Sequence, residues 1–167
     1  TSVIVTDTNT MTNQVYNCAS LAIIYPEHDP GQIFIERKNA GLPNIFGAEG
    51  ALNPFGGSWR GAEAVADHGP LDTLVRELSE EIEVQDKDGN WFRPPELDTV
   101  VQCIVDSLRP HEAAFVVTAR EALDLLPGNT RPGFVTFGSY FTAAVPAAEW
   151  RLLVELQKQY GRLANEG

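Results

Sequence analysis

The sequence predicts an α/β fold in which a mixed β-sheet packs between helices. Residues 15–25 are almost continuously apolar, as in a strand that is buried on both faces. Residues 70–82 have the periodicity of an amphipathic helix, and a second helix is predicted after Pro146. Strand-like segments occur both before and after the first helix in the sequence. The 167 residues, 43% of them hydrophobic, are accommodated by one domain spanning 1–167.

The region before the first helix reads as strands and a long connection. Val3 to Thr6 is predicted to be a short edge strand. Residues 26–31 are rich in turn formers, and residues 32–38 then alternate between apolar and polar side chains, which predicts a hairpin. Residues 39–54 contain several glycines and prolines, so we expect an irregular connection that leads into Gly56 and Gly57.

The first helix is predicted from its start signal and its apolar positions. Pro70 suits the first helical position because its missing N–H would have no partner there. The apolar residues recur every three or four positions, so they form one face that should be buried. These residues are Leu71, Leu74, Val75, Leu78 and Ile82.

The second half of the chain predicts further strands and a final helix. Residues 85–90 form a polar turn, followed by strands at Val100 to Val105 and at Ala113 to Ala119. Gly133 to Val145 reads as another strand or a bent pair of strands. Pro146 then opens the C-terminal helix.

Charge and cysteine content exclude several classes of protein. A formal charge of −11 and a pI near 4.6 argue against nucleic acid as a partner, because Lys and Arg supply most of that affinity. Cys18 and Cys103 are too few and too far apart for a disulfide framework, so both are expected to be reduced core residues. No apolar run is long enough to span a bilayer, so we expect no membrane partner and a cytoplasmic location.

Three glutamates on the first helix are the strongest candidate for chemistry. Glu77, Glu80 and Glu81 stand at i, i+3 and i+4, where like charges repel by about 0.2–0.5 kcal/mol per pair. Either a bound cation offsets this repulsion, or the face is simply solvated with help from Arg76. Helical spacing alone favours solvation, since acidic faces are common on helices.

The loop before the helix favours the metal. Gly56 and Gly57 permit close approach of the backbone to a ligand, and Glu63 adds another carboxylate. Hard oxygen donors of this kind suit Mg²⁺ or Mn²⁺, which also bind phosphate oxygens of a substrate.

These residues resemble the signature of the Nudix hydrolases, G-x5-E-x7-R-E-U-x-E-E-x-G-U, in which U is aliphatic. Two departures stand out. Twelve residues separate Glu63 from Arg76, which we interpret as a five-residue insertion within 65–70, and Glu83 replaces the last glycine. The positions that match are Gly57, Glu63, Arg76, Glu77, Leu78, Glu80, Glu81 and Val84.

The resemblance implies an α/β/α sandwich with a mixed β-sheet. It also implies hydrolysis, with Mg²⁺ or Mn²⁺, of a phosphoanhydride bond in a nucleoside diphosphate linked to another moiety. Carried over to this chain, the family's roles make Arg76 the residue that orients Glu77, the carbonyl of Gly57 a metal ligand, and Glu63 an auxiliary metal ligand. The catalytic metal ligands would be Glu77, Glu80 and Glu81.

Other candidate residues retain two interpretations each. The general base is Glu112, Glu121 or one of the signature glutamates, and each of the first two also reads as a solvated loop carboxylate. Trp59 either stacks on a substrate base or packs in the fold. Arg37 either contacts substrate phosphate or is solvated.

Three functions are compatible with the sequence. The first is a Nudix-type pyrophosphohydrolase acting on a small-molecule nucleotide. The second is a Nudix-fold module that binds a nucleotide or a partner without turnover, since fold does not guarantee activity. The third, an interaction scaffold with an acidic helix face, would not require Gly56 and Gly57. The substrate and the oligomeric state, including a homodimer, remain open.

Overall fold

A computed structural model of the chain describes residues 3–6, 13–37, 52–60, 67–118 and 134–164, with side chains from residue 18 onward except at 112–118 and 134–137. The elements, in chain order, are β1 (Val3–Thr6), β2 (Asn13–Pro26), β3 (Glu36–Arg37), β4 (Leu52–Asn53), β5 (Phe55–Ser58), α1 (Pro70–Glu81), β6 (Val84–Gln85), β7 (Trp91–Phe92), α2 (Pro95–Ser107), β8 (Leu108–Thr118), β9 (Phe134–Val145) and α3 (Ala147–Tyr160).

The principal sheet is mixed, as the sequence predicts. Its order is β1-β2-β9-β8, and β5 also pairs with β2. Strands β2 and β9 are parallel, whereas the pairs β1–β2, β2–β5 and β8–β9 are antiparallel. Because β9 runs along one edge of β2, β1 and β5 share the other edge in succession. The α/β class is therefore confirmed.

Strand β2 is buried mainly on one face, so the prediction that both faces are buried is wrong. Ser20, Ala22 and Ile24 are buried, whereas Ile23 is 37% exposed and Tyr25 is partly exposed. Alternation of this kind places one face of a strand against a core. That core also contains residues of the three helices in the described part of the chain: Leu74 and Leu78, Leu97, Val100 and Ile104, and Trp150, Leu153 and Leu156.

The described helices thus pack against one face of the sheet. The second helical layer of a sandwich stays a prediction. None of these helices is long and apolar enough to cross a membrane.

Helix α1 forms where the sequence predicts it. Pro70 occupies the start of the helix, Leu74 and Leu78 are fully buried, and Ile82 closes the helix. Leu71 is exposed despite its apolar character, so the buried face is narrower than predicted. The chain leaves the helix through an extended residue at Ile82, with φ −84° and ψ 94°. The residue that caps the helix is therefore extended and does not adopt the left-handed conformation.

The predicted strand at Val100 to Val105 is wrong, because these residues belong to α2. The run of valine and isoleucine looks strand-like in isolation. However, Leu97, Val100 and Ile104 recur at helical spacing and are buried together in the core. Helix α2 contacts β9, α1 and α3, so tertiary packing overrides the β propensity of its valines.

The hairpin predicted over 32–38 is present in reduced form. Phe34 makes a single antiparallel bridge to Ile24, and β3 pairs with β4 rather than with β2. Most of the predicted connection at 39–54 lies outside the described residues. The turn at 85–90 is confirmed and joins β6 to β7.

Other predicted elements agree more closely. Strand β1 pairs with β2, a strand covers 108–118, and β9 is one continuous strand. Helix α3 follows Pro146 directly and ends at Gly161 with a left-handed φ of 79°. Cys18 and Cys103 are both free, but Cys18 is exposed, so its placement in the core is wrong.

Candidate functional site

The site begins at the two adjacent glycines of β5, which face different neighbours. Gly56 pairs with Leu21 and Gly57 pairs with Ser20 on β2. At Gly56, where φ is +144°, a Cβ atom would lie 2.0 Å from the backbone oxygen of Ser20. Gly56 is therefore required by the close approach of two strands.

Gly57 makes room for a side chain of α1 instead. A Cβ atom at Gly57 would lie 2.4 Å from Cδ of Glu77 and 2.5 Å from its Oε1. The carboxylate of Glu77 therefore packs directly on the backbone of Gly57. Gly57 and Glu77, which the sequence analysis related only through the signature, are therefore in contact, although they are twenty positions apart.

Arg76 holds the carboxylate of Glu77 in this position. Its Nη1 donates to Oε1 of Glu77 at 2.7 Å, and its Nη2 donates to the backbone oxygen of Ser58 at 2.9 Å. The side chains of Arg76 and Glu77 are 10% and 13% exposed. Burial raises the pKa of the Glu77 carboxyl, and the Arg76 guanidinium opposes that rise.

Asp67 anchors Arg76 from the other side. Its Oδ1 accepts from Nε of Arg76 at 3.0 Å and its Oδ2 accepts from Nη2 at 2.9 Å. The same Oδ2 accepts from Oγ1 of Thr73 at 3.2 Å and from the backbone N–H of Arg60 at 3.1 Å. The Arg76 guanidinium lowers the pKa of Asp67 to about 2, and Asp67 raises the pKa of Arg76 in turn.

Sequence reasoning missed Asp67. It lies inside the segment interpreted as an insertion, so the signature assigns it no role. Its side chain is nevertheless only 3% exposed. One signal in the sequence could have identified Asp67: it is an acidic residue shortly before a helix that carries an arginine.

Trp59 is tied to the same loop. Its indole Nε1 donates to the backbone oxygen of Asp67 at 2.7 Å, and its backbone N–H donates to the oxygen of Cys18 at 2.7 Å. These bonds attach the indole to both the sheet and the segment that leads into α1. Trp59 therefore lies beside the site in a fixed orientation.

Arg60 is a second functional candidate that the sequence reasoning did not identify. Its Nη1 and Nη2 donate to Oε1 and Oε2 of Glu80 at 3.2 and 3.1 Å. Nη1 of Arg76 also lies 3.4 Å from Oε2 of Glu80. The side chains of Arg60 and Glu80 are 59% and 44% exposed, so this pair is in contact with solvent.

The three helix glutamates have different surroundings. Glu81 is buried at the last position of α1, whereas Glu80 is exposed and Glu77 lies between these extremes. The three carboxylates therefore do not lie together on one solvated face of the helix. Arginine side chains neutralise Glu77 and Glu80, which offsets much of the repulsion.

A divalent cation is compatible with the donor chemistry of this site. Carboxylate oxygens of Glu77, Glu80 and Glu81, beside the backbone of Gly57, are the hard ligands that Mg²⁺ and Mn²⁺ prefer. Within the described part of the chain, no three acidic, histidine or cysteine side chains are already gathered at metal-binding distances. Glu80 would have to exchange Arg60 for the ion. Glu63 lies outside the described residues.

Of the remaining candidates, the structure describes the side chain of Arg37 and does not test Glu112 or Glu121. Arg37 lies on β3 with an exposed side chain, and no contact of it with Glu77 or Glu80 is seen in the described part of the chain. Glu112 lies on β8, where the structure describes only the backbone, and Glu121 lies outside the described residues.

Comparisons of the chain with protein-family models, with curated proteins and with solved structures found no match. Any proposal of a family must therefore depend on the signature residues and on the contacts between them.

Proposed function

We propose that this protein is a Nudix-type pyrophosphohydrolase. It would hydrolyse, with Mg²⁺ or Mn²⁺, a phosphoanhydride bond in a nucleoside diphosphate linked to another moiety. The observation that carries the proposal is the carboxylate of Glu77 packed on Gly57 and held by Arg76. Close packing of β5 against α1 requires only a small residue at position 57. It does not explain why a carboxylate is buried there and held in one orientation, an arrangement that is costly and typical of functional sites.

The residues of this chain would divide the work as follows. Glu77, Glu80 and Glu81 with the carbonyl of Gly57 would hold the metal. A bound divalent ion neutralises charge on phosphate oxygens and lowers the pKa of a coordinated water.

Arg76 supports this site by fixing the first ligand. Asp67 prevents the guanidinium from rotating away, because it binds both Nε and Nη2 of Arg76. Arg76 thereby holds the largely buried carboxylate in place and opposes the rise that burial causes in the pKa of Glu77. Arg60 is placed to neutralise Glu80 or, once released, an anionic phosphate group.

The finer details of the fold and setting belong to the same proposal. A second helical layer would complete an α/β/α sandwich. A cytoplasmic location agrees with the free thiols of Cys18 and Cys103. A small-molecule nucleotide is the expected partner.

The test is phosphate release from a panel of nucleoside diphosphate derivatives, coupled to a phosphatase, with Mg²⁺, with Mn²⁺ and with chelator. Glu80→Gln and Glu81→Gln should each lower kcat/KM by about a hundredfold, as expected for loss of a metal-ligating charge. Glu155→Gln on the exposed face of α3 is the matched control and should leave turnover unchanged. Unchanged turnover in both site variants would refute the assignment.

One observation favours the binding module as a second candidate. Arg60 already occupies Glu80, and no three described acidic, histidine or cysteine side chains are gathered at metal-binding distances, so a ligand would be recognised without an assembled metal centre. In that case calorimetry would detect binding of one of the same nucleotides, while no member of the panel would be hydrolysed with either metal.

A further inference from the structure

A groove of about 700 Å³ lies between α1 and α2 on the surface of the protein. Its floor is apolar and consists of Val75 of α1 with Val101 and Val105 of α2. Val75 and Val105 are only partly buried, so apolar surface is in contact with solvent here. Along α2 the lining extends from Asp98 to Asp106, which is about 12 Å, or roughly two turns of helix.

The apolar face of α1 is wider than the core that covers it. Leu74 and Leu78 are fully buried, whereas Leu71 is 47% exposed. Leu71 lies four residues before Val75, and side chains at this spacing are neighbours on the surface of a helix. Leu71 therefore extends the apolar strip of the groove toward the start of α1. Contiguous apolar surface of this kind is typical of places where a partner binds.

Both helices that border the groove expose only negative charge. The structure describes α1 and α2 completely, and their one basic residue, Arg76, has a side chain that is only 10% exposed. The exposed charged residues of the two helices are Asp72, Glu80, Glu96, Asp98 and Asp106.

The thiol of Cys103, which also lines the groove, has surroundings that agree with this charge. Burial raises the pKa of Cys103, and the carboxylates of Glu149 and Asp106 raise it further. Negative charge therefore reaches the groove from α3 as well as from α2.

Two arginines near the groove are bonded to the protein itself. Arg93, which is part of the lining, donates to two backbone oxygens at the end of α1, and its Nη1 lies 3.5 Å from Oδ1 of Asp98. Arg109 donates to the backbone oxygens of Asp106 and Leu108 and is not part of the lining. A partner in the groove would therefore contact an apolar floor flanked by carboxylates.

We propose that the groove between α1 and α2 binds a basic amphipathic helix of a partner protein. The apolar side of that helix packs on Val75, Val101 and Val105, and its Lys or Arg side chains pair with Asp98 and Asp106. An acidic helix of the same shape is repelled by these carboxylates. The interaction needs neither a metal nor a nucleotide, so it is independent of the proposed function.

Cys103 reports directly on the groove, because it is partly buried and lines it. Labelling by a thiol reagent is measured without metal or nucleotide, in the presence of a peptide of about 14 residues with leucine at helical spacing and lysine elsewhere. We expect saturating peptide to slow labelling of Cys103 by about fivefold or more, because the bound helix covers the thiol. Cys18 is exposed, does not line the groove, and should react at an unchanged rate.

Two control peptides separate the proposed interaction from general attraction. One has the same leucines and lysines in scrambled order, so it has the charge but no apolar side. The other has glutamate in place of lysine, so it has the apolar side but the wrong charge. Neither should protect Cys103.

Val105→Lys tests the floor of the groove. The variant should weaken binding of the leucine-lysine peptide, measured by fluorescence anisotropy, by about tenfold or more, because it places a like charge under the peptide. Val154→Lys is the matched control, since Val154 is a partly buried valine of α3 that does not line the groove. Circular dichroism and thermal unfolding verify that both variants are folded.

Reversal of the exposed charges tests the carboxylates and does not depend on the fold of Val105→Lys. Asp98→Lys combined with Asp106→Lys should weaken binding of the same peptide by about tenfold. Glu27→Lys combined with Glu155→Lys changes the net charge equally at two exposed residues away from the groove and should weaken binding by less than about twofold.

The proposal is overturned if the leucine-lysine peptide does not protect Cys103, or if the scrambled peptide protects it equally. Equal weakening by the two charge-reversed variants would show attraction by net charge alone and would also overturn it. Protection of Cys103 that increases with protein concentration in the absence of peptide would assign the groove to a second copy of the chain instead. Phosphate release from a nucleotide has no bearing on any of these outcomes.

Discussion

Two arginines bind carboxylates near α1 through similar contacts, but in different surroundings. Arg76 makes two hydrogen bonds to Asp67, and Arg60 makes two to Glu80, all at about 3 Å. The first pair is buried, and the second is exposed. Removing one partner of a buried pair costs about 3–5 kcal/mol, whereas an exposed pair contributes about 0–1 kcal/mol.

The difference separates a fixed part of the site from an exchangeable one. Water solvates Arg60 and Glu80 when they separate, so their contact can be replaced at little cost. Water does not reach Asp67 to the same extent, so its contact with Arg76 must persist for the region to stay folded. Glu77 is attached to the fixed part through Arg76, and Glu80 belongs to the exchangeable part.

Asp67→Asn should break the buried pair and have the largest effect on stability. We expect the free energy of unfolding to fall by about 3 kcal/mol or more, because Arg76 would remain buried without its main counter-ion. Urea denaturation measures the change. Asp98→Asn is the matched control, since Asp98 lies 3.5 Å from Arg93 and is 64% exposed. Equal losses in the two variants would contradict the distinction between buried and exposed pairs.

Substitutions of the two glycines should separate folding from function. Gly56→Ala should destabilise the protein by about 2 kcal/mol or more, because its Cβ would meet the backbone of β2. Gly57→Ala should cost less stability, because the atoms it meets belong to the end of the Glu77 side chain. It should instead lower kcat/KM by about tenfold by displacing that carboxylate. Denaturation and the phosphate-release assay distinguish the two, and identical profiles for both variants would contradict this assignment.

Acid should weaken the buried pair in a defined pH range. The pKa of Asp67 is lowered from 3.8 to about 2 by Arg76, so the folded state binds a proton less readily than the unfolded chain. The resulting stability is fully present above the unfolded pKa and is lost as the pH falls through about 2. The difference in unfolding free energy between wild type and Asp67→Asn should therefore be constant above about pH 5 and narrow toward pH 2. A difference that widens on acidification would contradict the sign.

Arg60→Gln should have the smallest effect on stability, below about 1 kcal/mol. Because Arg60 and a cation compete for Glu80, the variant should bind Mn²⁺ about two- to fivefold more tightly, as measured by calorimetry. Arg109→Gln removes the same charge from an exposed residue at the start of β8 and serves as the control. Equal tightening in both variants would show an effect of net charge alone.

The comparison also shows which predictions from sequence were accurate. Helix α1 was predicted within a residue or two because Pro70 and the spacing of Leu74 and Leu78 are local signals. Helix α2 was missed because its valines favour strands locally, and only contacts with β9 and α3 decide otherwise.

Within the site, sequence spacing identified Gly57, Arg76 and Glu77, which the structure brings together. It could not identify Asp67 or Arg60 as their partners. Both precede α1 and lie outside the described helices and strands, so no periodicity relates their side chains to the helix. The burial of Glu81 was also missed. Helical spacing gives the direction in which a side chain points around the helix axis, but it does not show how much of the helix surface the rest of the fold covers.

By itself, the sequence determined most of the main elements other than helix α2, the mixed α/β class, and the acidic helix next to a glycine pair. These follow from local propensities and from periodicities of two and 3.6 residues, which any folded arrangement must satisfy. Only the tertiary structure decided which charges pair, which of them are buried, and where a groove is left between α1 and α2. These properties depend on the distances between segments that are remote in sequence, and residue order alone does not contain them.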